Sequence, residues 1–154
     1  MLTIQSPAFS NNSLIPSRYT CDDENINPEL IISGVPTECK SLVIIIDDPD
    51  IPTSVKEARG IEVFDHLLLF NIPPETSRIP EKMIVGTIGK NSAGDNAYRG
   101  PCPPDREHRY FFRLYALKVI LNLNEGVTRD EVELAMKGNV LESAELMGRY
   151  ERLH

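Results

Sequence analysis

Three groups capable of acid–base or ligand chemistry sit on three different apolar stretches of this chain. Asp48 lies in Asp47-Asp48-Pro49-Asp50, directly after Leu42 to Ile46; His66 lies inside Phe64 to Ile72; His108 precedes Tyr110 to Val119. Before the last stretch comes Gly100-Pro101-Cys102-Pro103-Pro104. Three prolines in five residues exclude helix and central strand there, because each ring fixes φ and removes an N–H donor. Such a stiff loop hands His108 to the mouth of a buried strand, and rigid loops on a sheet scaffold are where binding groups usually sit. If the three strands are neighbours, Asp48, His66 and His108 converge at one end of a sheet beside the amides of the Gly100 loop. The result is a small polar cavity in an apolar frame.

These residue types admit several chemistries. Two imidazoles and a carboxylate could hold a transition metal, so a metal-assisted hydrolase using Asp48, His66 and His108 is one reading. Neither HExxH nor a paired Cys/His cluster is present, however. Nucleophilic catalysis needs a serine or cysteine with a base and an oxyanion hole. Cys102 is near His108 in sequence, but its flanking prolines remove amide donors, and there is no GxSxG elbow. Gly86, Gly89, Gly94 and Gly100 lack the spacing of a Walker or dinucleotide loop. The best fit is an anion cup without a nucleophile. Its Asp orients a histidine and raises its pKa, so that the imidazole donates as a cation to a phosphate or carboxylate. Singly, each residue has a plainer role: Asp48 and Asp50 as turn formers, His66 as a core residue, His108 as solvated surface. Only their combination points to a site.

The elements that must position these groups are strands. Leu42-Val43-Ile44-Ile45-Ile46 is a continuous apolar run, as expected of a strand buried on both faces. Phe64 to Ile72 is a second central strand, with His66 expected on the face of Leu68 and Phe70 by strict alternation. Tyr110 to Val119 is a third. Thr3 to Ile32 reads as short strands and loops, and Thr53 to Ile61 as a polar exposed loop. Helix is expected only late: Thr128 and Glu131 form a capping box ahead of Val132, Ala135 and Met136. A second helix is expected from about Val140 to Tyr150, where Val140, Ala144 and Met147 recur at helical spacing. Strands first and helices last predict a mostly β, α+β fold.

Composition narrows the function classes. The 154 residues suit one domain, 1–154, with a real core. A formal charge of -7 argues against broad nucleic-acid binding. No apolar run reaches the roughly 18 residues of a membrane span, and the first twenty residues show no signal-peptide pattern. Cys21, Cys39 and Cys102 form an odd set without a CxxC pair, which predicts free thiols and a cytoplasmic location. Asn11-Asn12-Ser13 matches a glycosylation sequon, a chance match in a cytoplasmic protein.

At these same residues the chain resembles the phosphatidylethanolamine-binding protein family in its bacterial and archaeal branch. The matches are Asp48-Pro49-Asp50-Ile51-Pro52, His66 in Asp65-His66-Leu67 through Asn71-Ile72-Pro73, Gly89-Lys90-Asn91-Ser92, the Gly100 to Pro104 loop, and His108-Arg109-Tyr110 through Leu117. Ala135 to Gly138, Ala144 to Tyr150, and Ile15-Pro16, Tyr19 to Cys21 and Asn27 to Pro36 extend the likeness over nearly the whole chain. The resemblance implies a large central antiparallel sheet with a smaller sheet against it and helices near the C-terminus. It implies a ligand pocket of Asp48, Asp50, Pro52, His66, Gly100, Pro101, His108 and Tyr110 for phosphate-like anions, including phosphoethanolamine head groups. No metal, cofactor or enzymatic activity is implied. The implied role is ligand binding and regulation of a kinase, protease or other protein partner, with serine protease inhibition through the Thr53 to Ile61 loop as an alternative. A homodimer and a cis Ile51–Pro52 bond are implied as well. The chain departs from the family pattern at its rim: it has no Trp, Ile32 and Leu67 stand where relatives often carry one, Ala93 replaces an aromatic, Arg99 a Gly, and Asn139 a His.

Overall fold

In a computed structural model of the chain, residues 1–152 are described. The fold is mostly β, with one large and one small sheet. The strands are β1 (Thr3–Gln5), β2 (Ser13–Leu14), β3 (Leu30–Ser33), β4 (Ser41–Asp48), β5 (Phe64–Ile72), β6 (Arg78–Ile79), β7 (Thr87–Ile88), β8 (His108–Leu117) and β9 (Val140–Tyr150). The helices are α1 (Thr53–Arg59) and α2 (Arg129–Met136). The large sheet runs β2-β9-β8-β4-β5-β7 and is antiparallel except where β2 joins β9; the small sheet is β1-β3-β6. No helix among the described residues is long and apolar enough to cross a membrane.

The three apolar stretches are indeed adjacent, with β4 between β8 and β5. All eight β4 residues are buried, because the two faces of this strand serve two separate cores. Leu42, Ile44 and Ile46 join Leu67, Leu69, Phe112 and Leu114 beneath the small sheet. Val43 and Ile45 join Leu68, Phe70, Val132 and Met136 under α2. Thr128 caps α2 by accepting from the Glu131 N–H, as its capping box predicts.

Three expectations are corrected here. Val140 to Tyr150 is strand β9, not helix: it pairs with β8 along its whole length and buries Leu146, Gly148 and Tyr150 at period two. The edge of β8 offers a ladder of backbone partners that a helix could not satisfy. Thr53–Arg59 is helix α1 rather than a loop, closed by Gly60 in the left-handed region at φ 65°. It buries no residue and has no side-chain cap, so neither amphipathic period nor cap announced it. Finally, no cis peptide bond occurs among the described residues, so Ile51–Pro52 is trans.

A bulge decides where His66 points. Ile46 pairs with Leu67, but Asp47 pairs with Asp65, so His66 is an extra residue without a partner on β4. The insertion breaks strict alternation. His66 and Leu67 therefore share the small-sheet face, and the ring of His66 meets Tyr110 rather than α2.

Candidate functional site

Asp48 ends β4, His66 sits on the β5 bulge and His108 opens β8, so the three lie at one end of the large sheet. His108 is 1% exposed and bonded at both nitrogens: Nδ1 to Asp48 Oδ2 at 2.7 Å and Nε2 to Asp105 Oδ1 at 2.7 Å. Burial by itself would lower its pKa, but the bonds and charges of Asp48 and then Asp105 outweigh it and raise the value. The Asp48 carboxylate is locked in turn, since its Oδ1 accepts from the Asp50 N–H at 2.7 Å.

His66 is held differently. Its Nδ1 bonds the carbonyl oxygen of Arg99, which can only accept, so Nδ1 carries the proton. Burial pulls its pKa down, leaving the ring neutral and Nε2 a lone-pair acceptor. Among the described residues Nε2 has no partner, and neither does the buried Oη of Tyr110. Burial also raises the Tyr110 pKa, so the phenol stays protonated. Phe64 flanks His66 with ring centroids 4.9 Å apart.

These groups surround a cavity of about 280 Å³ between the sheet end, α1 and the proline-rich loop. Asp48, Pro52, His66, Gly100, His108 and Tyr110 lie on its wall, as the sequence leads one to expect. Asp50 and Pro101 do not. Asp50 turns outward to a two-point ion pair with Arg109, at 2.8 and 2.9 Å, which holds its carboxyl down to about 2. Pro101 is buried behind the wall, its carbonyl accepting from the Cys21 N–H at 3.1 Å. Larger hollows of about 610 and 590 Å³ open elsewhere, but no unpartnered buried side-chain atom lines them among the described residues.

The proline-rich loop is fastened to the segment after β2. Gly100 N–H donates to Asn25 Oδ1 at 2.9 Å, and Tyr98 Oη donates to the Tyr19 carbonyl at 2.7 Å. A Cβ on Gly100 would run into that same carbonyl and Asn25, so only glycine lets the two backbones meet. At this contact Cys21 and Cys102 form a disulfide, with Cα atoms 5.4 Å apart and a sequence separation of 81. The expectation of three free thiols is therefore wrong for two of them; Cys39 alone is free, buried under the small sheet. The separation hid the pair, and with it falls the thiol-based ground for a cytoplasmic location.

Residues not singled out in the sequence complete the site. Asp105 occupies the outer nitrogen of His108, and its position three residues ahead of that histidine was the available signal. Arg59 from α1 and Arg99 from the loop both line the cavity. On the opposite face Asp47 and Asp65 ion-pair with Arg129 at 2.7 and 2.8 Å, and Asp47 also with Arg113 at 2.8 Å. That network ties α2 to the sheet behind the cavity floor. Adjacent aspartates thus serve opposite faces, Asp47 for structure and Asp48 for the cavity.

Comparison with known proteins places the chain in a family. Residues 5–151 match the family model described as phosphatidylethanolamine-binding protein. A UPF0098 protein of Methanothermobacter thermautotrophicus is 45% identical, with 98% of this chain and 99% of the relative covered. One from Chlamydia trachomatis is 44% identical over 98% and 99%. The crystal structure of a phosphatidylethanolamine-binding protein homolog from Chlamydia trachomatis superposes with a TM-score of 0.94 at 42% identity, covering 99% and 98% of the two chains. Escherichia coli YbcL, described as a member of the mammalian family, gives a TM-score of 0.85 at 25% identity over 99% of each chain. With the model spanning nearly its whole length and relatives well above 30% identity, the chain belongs to the phosphatidylethanolamine-binding protein family.

Proposed function

We propose that this protein binds a small phosphate-type anion in the His66–Tyr110 cavity and acts as a ligand-dependent regulator rather than a catalyst. The observation that carries this reading is the pair of orphan polar atoms, His66 Nε2 and Tyr110 Oη. Leaving two polar groups buried and unsatisfied costs about 1–3 kcal/mol each, which a ligand would recover. The pair presents an acceptor and a hydroxyl on two rings whose centroids are 5.3 Å apart. A singly protonated phosphate monoester matches both: its O–H donates to Nε2, and a bare oxygen accepts from Tyr110. His108 lies between two carboxylates, and both of its ring nitrogens are already bonded to Asp48 and Asp105, so it has no donor left for the ligand. The charged cup expected from sequence thus gives way to a neutral-imidazole cup, with His108 bonded to its two aspartates behind it.

Nothing on the cavity wall suits a catalytic nucleophile. The Cys102 sulfur is consumed in the disulfide, and Tyr110 is held as a phenol. The hydrolase alternative needs His66, His108 and Asp48 to face one metal, yet among the described residues no three His, Cys, Asp or Glu are grouped to do so. The inhibitor alternative needs an extended exposed loop, and its segment is helix α1.

The test is calorimetric titration with inorganic phosphate at pH 7 of the wild-type protein, His66→Ala and Tyr110→Phe. Saturable binding, weakened about tenfold or more in each variant, is the expected result. Binding that is unchanged in both variants, or absent from the wild type, would remove the reading.

A further inference from the structure

The arginines of this chain are unevenly satisfied. Ten are present, and eight of them ion-pair with an Asp or Glu within 3.8 Å. Among the described residues, the two without a carboxylate partner are Arg59 and Arg99, and both lie on the wall of the cavity that holds His66 and Tyr110. In a chain with 23 acidic residues against 16 lysines and arginines, carboxylates are not scarce. Two arginines without a carboxylate partner on one cavity wall are therefore informative.

Each reaches the cavity by its own route. Arg59 comes from the last turn of α1, resting over the Phe64 ring at 5.7 Å and touching the Ser92 carbonyl at 3.2 Å. Arg99 comes from the segment just before Gly100. Its backbone carbonyl fixes the His66 tautomer, while its guanidinium makes no hydrogen bond or ion pair among the described residues. Among the described residues Asp48 is the one carboxylate on the wall, and it shares the His108 ring with Asp105, each at 2.7 Å, so two carboxylates and one imidazole stand against two guanidinium groups. The wall therefore carries excess positive charge at its outer end and neutral hydrogen-bonding groups at its inner end.

Resting on the phosphate-binding reading above, we propose that the ligand is a small soluble phosphate ester with a second acidic group, a carboxylate or another phosphate. The phosphate meets His66 and Tyr110, and the second anion meets Arg59 and Arg99. Guanidinium groups suit this task because their planar donors bind oxyanions two at a time. Phosphoethanolamine is the wrong shape of charge for this cavity, since its ammonium would face two cations.

Phosphoethanolamine and O-phosphoserine form the decisive pair, because they differ by one carboxylate. Calorimetry at pH 7 and low salt is expected to show O-phosphoserine binding about tenfold more tightly, an advantage reduced by exposure of both arginines and diminished further at 0.5 M salt. In an Arg59→Gln/Arg99→Gln variant the ratio of the two affinities is expected to fall to about one. Equal affinities in the wild-type protein, or a preference that survives the double substitution, overturns the proposal while leaving phosphate binding intact. Failure of both esters and of inorganic phosphate to bind overturns the phosphate-binding reading itself. Flotation with phosphatidylserine vesicles separates the sources: capture by vesicles without binding of the free ester overturns a soluble ligand in favour of a lipid head group. A circular dichroism melt of the double variant confirms that it is folded.

Discussion

Replacing both bridged cysteines, as in a Cys21→Ser/Cys102→Ser variant, should loosen the wall of the cavity and lower global stability together. The bridge closes a loop of 81 residues. Chain-entropy arithmetic for a loop of that size gives about 4.5 kcal/mol at 25 °C, and strain or residual unfolded structure reduces what is realised to roughly 2–4 kcal/mol. At roughly 2–4 °C per kcal/mol for a domain of this length, the melting temperature should drop by about 10 °C. The hydrogen bonds from Cys21, Gly100 and Tyr98 remain, but at about 1 kcal/mol each they offset only part of the loss. The assay is a thermal melt of wild-type and variant protein, paired with hydrogen exchange at the Gly100 amide. That amide should exchange faster in the variant, because its acceptor Asn25 lies in the segment the bridge tethers. Thiol titration of unfolded, unreduced wild type should find one reactive group, Cys39, and reduction should raise the count to three. A melting shift under about 3 °C, or three thiols without reductant, would refute the reasoning.

Two further outcomes follow from the charges around the site. Asp48→Asn removes the inner partner of a buried imidazole, and should cost about 3 kcal/mol in urea unfolding while returning the His108 pKa, read by NMR, toward its ordinary value. The pH dependence of stability should have two edges. His108 titrates above its ordinary value of about 6.5, so its contribution is complete below about 6.5 and is lost as pH rises through the raised folded-state value. Asp50 titrates at about 2 instead of 3.8, so its contribution is complete above that ordinary value and disappears as pH falls toward 2. Because Arg109 is half exposed, the acid edge should amount to roughly 1–2 kcal/mol. Urea titrations from pH 2 to 9 measure both edges, and an acid edge that persists in Arg109→Gln would count against the Asp50 assignment.

The sequence alone determined what local chemistry can announce. An unbroken apolar run marked β4 as central, because a strand covered on both faces has no polar side. A proline-dense loop declared itself rigid, and Thr128 declared the start of α2. These features were sufficient for the mostly β fold, and the family resemblance carried by the motifs named eight residues for the cavity, six of which line it. The tertiary structure decided everything that depends on a partner distant in sequence. Val140 to Tyr150 carries apolar residues compatible with either helical or strand periodicity, and only the open edge of β8 selects the strand. His66 should point toward α2 by alternation, and only the mismatch of β5 against β4 turns it to Tyr110. Cys21 and Cys102 are unremarkable until two backbones meet at Gly100. Asp50 shares its motif with Asp48 but turns outward, because Arg109 offers it two donors. Propensity and pattern act over a few residues, whereas register, pairing and charge neutralisation are settled by whichever groups the folded chain brings within hydrogen-bond reach.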